Sequence, residues 1–123
     1  MKYLKPFYES TNEFYQEITQ GEYLSNAFTL EESPLTDNDI WSLENAVDDL
    51  NSKKKKGWSD IYLRRDSDSG CYLKYKYLKV LQISKFDDEW FYVINTRFMG
   101  KKEYYKCDQI EGLLKLLNEL ELL

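Results

Sequence analysis

No histidine occurs anywhere in these 123 residues. That absence removes Ser-His-Asp and Cys-His catalysis, His-ligated metals and the usual general base near neutral pH. Cysteine is nearly as scarce. Cys71 and Cys107 stand alone and far apart, whereas a structural zinc site needs four ligands in close pairs. Five Gly and two Pro exclude long flexible linkers. No apolar run approaches the roughly 20 residues that span a bilayer. Met1-Lys2-Tyr3-Leu4-Lys5-Pro6 lacks the apolar stretch of a signal peptide. With nothing pointing to secretion, both thiols are expected to be reduced in a cytoplasm. The expectation is a non-enzymatic chain with no cofactor and no metal.

Aromatic side chains, by contrast, are dense: eleven Tyr, six Phe and three Trp, 16% of the chain. Such rings favour pleated, half-buried positions, and Tyr and Trp are also enriched at interfaces. The length suits one domain, residues 1–123. Charge is sorted along it. Residues 1–52 carry a net of −9, residues 53–106 a net of +7, and the formal total of −5 conceals the split. Fields of this kind steer partners without deciding the fold.

Local patterns give the elements. Phe14 to Ile18 reads as a short strand, and Thr19-Gln20-Gly21-Glu22 has the spacing of a capping box that opens a helix near Tyr23. Phe28-Thr29-Leu30 reads as another short strand. Thr36 caps a helix over 37–52, with Asp37 and Asp39 in its first turn and Ile40, Leu43, Val47 and Leu50 at helical spacing. Trp41 lies beside that stripe. Lys53-Lys54-Lys55-Lys56-Gly57 is a solvated loop. Strands follow over 58–65, over a long run from Cys71 to Phe86 bent near Tyr77-Leu78, over 89–98 and over 102–107. A C-terminal helix over 108–121 begins with Asp108 as cap. It carries Ile110, Leu113, Leu114, Leu117 and Leu120 on one face. Gly112 inside it costs about 1 kcal/mol relative to Ala, which suggests a close approach, for instance to the strand holding Tyr104-Tyr105. The predicted fold is α+β: an antiparallel meander of three or four strands packed against the two helices.

Two acidic clusters imitate sites and fail as such. Asp66-Ser67-Asp68-Ser69-Gly70 opens like a calcium loop, but Gly70, Cys71 and Tyr77 occupy its fifth, sixth and twelfth positions, so it reads as a turn. Asp87-Asp88-Glu89 reads as a solvated hairpin tip, with no phosphate loop or second carboxylate motif beside it. Two broader surfaces remain. An acidic face formed by Asp37, Asp39, Glu44, Asp48 and Asp49 can occupy a basic groove built for nucleic acid. A basic set, Lys53, Lys54, Lys55, Lys56, Arg64, Arg65, Lys74 and Lys76, is interleaved with tyrosines and can meet RNA or an acidic face. Alternation puts Lys74 and Lys76 on one side of their strand and Tyr75 and Tyr77 on the other.

The stretch Asp88 to Val93 and the junction Tyr104-Tyr105-Lys106-Cys107-Asp108-Gln109, with Met1 to Lys5 and Tyr15 to Ile18, resembles a set of small bacteriophage proteins. Residues 24–77 lie outside the resemblance. No activity of that set transfers, so it implies an origin and a strand-to-helix junction important for folding. Small phage proteins without catalytic residues often block a host system. The resulting expectation is a binding protein of the host bacterial cytoplasm. It would inhibit or redirect a host protein or nucleoprotein, concretely as an anti-CRISPR-like inhibitor of a CRISPR effector. An RNA- or single-stranded-DNA-binding module in phage gene control is the alternative. A self-associating protein with a seam at Leu116–Leu120 is the third.

Overall fold

Two capping boxes set where the first two helices begin. In the computed structural model, which describes residues 14–96 and 101–120, strand β1 (Tyr15–Ile18) runs directly into helix α1 (Gln20–Thr29). The Glu22 amide donates to Thr19 Oγ1 at 3.1 Å, and the Thr19 amide donates to Glu22 Oε1 at 3.4 Å. Helix α2 (Asp37–Ser52) repeats the device. The Asp39 amide donates to Thr36 Oγ1 at 3.0 Å and the Thr36 amide to Asp39 Oδ2 at 2.9 Å. Each box satisfies amides that the first helical turn leaves without partners. Phe28 and Thr29 therefore belong to the last turn of α1 and not to a strand.

Five further strands follow: β2 (Ile61–Arg65), β3 (Gly70–Tyr75), β4 (Leu78–Phe86), β5 (Trp90–Asn95) and β6 (Glu103–Asp108). All are antiparallel to their neighbours, in the order β1-β6-β5-β4-β3-β2. Among the described residues the sheet thus has six strands where the sequence pattern suggests three or four. The difference has two sources. The run from Cys71 to Phe86 is a hairpin rather than one bent strand, its chain reversed at Lys76, which takes a φ of +55°. The N-terminal strand also pairs with β6, Tyr15 opposite Cys107 and Ile18 opposite Tyr104. The expected strand end at Phe98, the turn at 99–100, the segment Met1 to Lys5 and position 121 of the last helix lie outside the described residues.

Alternation divides the sheet into two faces. On the first face Ile61, Cys71, Leu73, Leu81, Ile83, Phe91, Val93 and Cys107 meet Leu43 and Val47 of α2 and Leu113, Leu116 and Leu117 of α3 (Gln109–Glu119). Leu116 is buried here, which removes the proposed Leu116–Leu120 seam from the surface. On the second face Tyr92, Phe86, Ile94 and Tyr104 pack with Tyr23, Ala27 and Leu30 of α1. Residues 30–36 carry the chain around the sheet end between the two sides. The Ser33 amide donates to Lys85 O at 3.1 Å and the Leu35 amide to Asp68 O at 2.8 Å.

The junction into α3 differs from expectation in two details. Asp108 stands at the N-cap, but its side chain makes no capping hydrogen bond. Gly112 does allow a close approach, yet to the residue before β1: a Cβ on it would lie 2.2 Å from Phe14 O. No helix among the described residues is long and apolar enough to cross a membrane.

Candidate functional site

Helix α2 presents three of the five expected carboxylates in one row. Asp37, Glu44 and Asp48 recur at helical spacing with Trp41 among them, exposed beside the buried stripe of Leu43 and Val47. All are exposed, Trp41 to 62%. None of the three carboxylates forms an ion pair among the described residues. Beside this row, Trp41, Ala46, Leu50, Leu114 and Leu117 line an open groove of about 300 Å³ between α2 and α3.

Asp39 is not part of that surface. Its carboxylate is turned inward, where Lys85 Nζ donates to Oδ2 at 2.7 Å, and both side chains are only 7% exposed. The Lys85 ammonium also lies 5.5 Å from the Phe91 ring. The first-turn position that suits an acid for the dipole also points it at the sheet, which is why spacing alone misplaces it. Asp49 stays outside but is paired with Lys53 at 3.0 Å.

The basic set is divided among four places. In the loop after α2, Lys53 is held by Asp49, Lys54 meets Asp60 at 2.5 Å, and Lys55 lies 6.0 Å from the Trp58 ring. Lys56 is exposed. Arg65 sits at the sheet edge and donates to Ser67 O and Asp68 O, both at 3.4 Å. Lys76 occupies the β3–β4 turn against the Tyr75 ring at 5.6 Å.

Arg64 and Lys74 are brought together on the second face of the sheet. Ile61 and Leu63 of β2, with Cys71 and Leu73 of β3, point into the core, so Tyr62, Arg64, Tyr72 and Lys74 point the other way. Register places Arg64, Tyr72 and Gln82 in one cross-strand row, and Tyr62, Lys74 and Lys79 in the next. The rings beside the cations are thus Tyr62 and Tyr72. Tyr75 packs against the core, and Tyr77 is 94% exposed at the hairpin tip. Strict alternation over 61–65 and 70–75 carries the signal for this pairing. A shift of register between Leu73 and Lys74 then sets Lys74 opposite Lys79.

The acidic row belongs to the helix on the first face and the basic-aromatic patch to the second face, but the two approach each other around the β2 edge, where Glu44, Asp48, Tyr62 and Arg64 line one open hollow. Neither thiol is placed for chemistry. Both cysteines are free and buried, and burial pushes each up to about 12. A thiol so raised is not a nucleophile at neutral pH. Among the described residues, no three His, Cys, Asp or Glu side chains gather where they could hold a metal ion. Comparisons with protein-family models, curated proteins and solved structures return no match.

Proposed function

We propose that this protein is a non-enzymatic binding protein whose α2 surface docks on a basic groove of a partner and blocks it. The observation that carries this reading is the row Asp37, Trp41, Glu44 and Asp48: an exposed Trp ringed by carboxylates without cationic partners among the described residues. A buried aromatic anchor supplies much of the affinity in protein interfaces, and surrounding charge supplies steering and register. A groove organised for phosphates is already organised for carboxylates. The lack of histidine and the two unreactive thiols favour binding over catalysis.

The resemblance of the Tyr104 to Gln109 junction to small bacteriophage proteins supports a counter-defence setting in the host bacterial cytoplasm. The concrete partner is a host nucleoprotein such as a CRISPR effector, in an anti-CRISPR-like role. Tagged protein should retain such a partner from a host lysate before and after nuclease treatment. Trp41→Ala, and separately Glu44→Lys with Asp48→Lys, should abolish capture while the melting temperature stays within about 2 °C, as exposed positions allow. Capture by both variants at ordinary salt would refute the proposal.

A further inference from the structure

We propose that the half of the sheet's second face that no described element covers binds single-stranded nucleic acid, RNA or DNA, through Tyr62, Arg64, Tyr72, Lys74 and Lys79. Helix α1 covers this face only over β4, β5, β6 and β1, where Tyr23, Ala27 and Leu30 pack. Beyond it, no element among the described residues lies over the outward side chains of β2, β3 and the start of β4, of which Tyr62, Arg64 and Lys79 are exposed and Tyr72 and Lys74 half-buried. What they present is neither apolar nor randomly charged.

Three cations stand there with no carboxylate paired to any of them among the described residues. Two of them, Lys74 and Lys79, are directly opposite one another across β3 and β4. Like charges in that position repel and weaken the pairing, so the fold carries a cost that a bound anion relieves. The cations are also interleaved with rings. Lys79 Nζ lies 4.6 Å from the centre of the Tyr72 ring, and the Arg64 guanidinium lies 5.2 Å from that of Tyr62. Tyr62 is 49% exposed. Neighbouring strands are about 4.8 Å apart, so rings and charges alternate within one short span.

That alternation selects among anions. Phosphates need the cations, and unpaired bases need flat rings on which to stack, which is how sheet platforms hold single strands. An acidic protein would use the cations and leave the tyrosines idle. A duplex is read by an element that enters a groove, and this flat face offers none. Glu44 and Asp48 of the α2 row approach Tyr62 and Arg64 around the β2 edge, but the residues exchanged below and the readout differ from those of the capture test, so failure of capture through α2 leaves the following outcomes unaffected.

The test is fluorescence anisotropy with a labelled 12-nucleotide oligo-U RNA and the matching oligo-dT, starting at 50 mM salt. Binding should weaken with salt at a log–log slope of about −2, as expected for three neutralised phosphates of a single strand. Lys74→Gln with Lys79→Gln should reduce that slope by more than half. Tyr62→Leu and Tyr72→Leu should each weaken binding about tenfold, the loss expected of one stacked base. Lys115→Gln, which removes one positive charge on α3, should leave affinity unchanged. Melting curves verify that each variant folds, and the half-exposed Tyr62 keeps the test open should Tyr72→Leu unfold the chain. No anisotropy change at 50 mM salt overturns the proposal. So does full affinity in both tyrosine variants, or displacement of the oligonucleotide by polyglutamate at equal charge concentration. That last result would mark the face as a seat for acidic protein.

Discussion

Replacing Gly112 by Ala should destabilise this protein although it inserts a better helix former into the middle of a helix. A Cβ at this position would lie 2.2 Å from Phe14 O and 3.1 Å from Phe14 C. Both atoms are backbone and cannot rotate away. Normal contact requires the α3 and Phe14 backbones to part by about 1 Å. Phe14 O also accepts a hydrogen bond from the Asp108 amide at 2.8 Å, and the same displacement stretches it beyond useful geometry. Ala gains about 1 kcal/mol of helix propensity over Gly. Overpacking costs about 1–3 kcal/mol and the lost hydrogen bond about 1 more. The net expectation is a loss of about 2 kcal/mol, or a fall in melting temperature of about 8 °C for a chain of this size. Thermal unfolding measures the fall, and amide exchange at Asp108 identifies its origin, since that amide should lose protection first. A melting temperature equal to or above the parent's would refute the reasoning.

Asp39→Asn should cost about 3 kcal/mol in urea unfolding because it strands the buried Lys85 ammonium. Adding Lys85→Met to that variant should recover part of the loss, whereas additive losses would show that the two groups do not act as a pair. Alkali should weaken the fold through Cys71 and Cys107. Burial raises both from an ordinary 9.0 to about 12, so their contribution is complete below pH 9 and is lost as pH rises from 9 through 12. Taken together they predict about 3 kcal/mol less stability at pH 10 than at pH 7, read from urea midpoints. Tyr105, also raised by burial, adds to the decline in the same direction. An equal midpoint at the two pH values would contradict this.

Much of the helical part of this fold is legible in the sequence because its signals are local. Thr19 with Glu22 and Thr36 with Asp39 mark two helix starts by hydrogen bonds that span three residues. The sheet is less legible. The β3–β4 turn contains no Gly, Asn or Asp at its centre, since Lys76 takes the left-handed conformation itself, and the hairpin therefore reads as one long strand. The pairing of β1 with β6 depends on contacts between the two ends of the chain, which no local window contains. For the binding surfaces, residue types were readable but their directions were not. Asp39 looks like its acidic neighbours until the sheet supplies Lys85. Tyr72 and Tyr75 are equivalent by composition and are separated only by which side of β3 faces the core.

The edge strand β1 also constrains the order in which the protein can assemble. Strands β2 to β6 follow one another through neighbouring antiparallel pairs, so their contacts form between segments close in the chain. The Tyr15–Cys107 pair instead closes a loop of roughly ninety residues, at an entropic cost that grows only slowly with length but must be met before any contact repays it. During synthesis the partner strand β6 emerges only after every other strand of the sheet. Until then the outer edge of β5 is unpaired, and Cys107 and the apolar face of α3 are not yet available to cover it. Of the described strands, the first to leave the ribosome is thus the last that can be seated. A chain shortened ahead of Glu103 would keep an open, apolar β5 edge, the kind of surface on which sheets from separate molecules join.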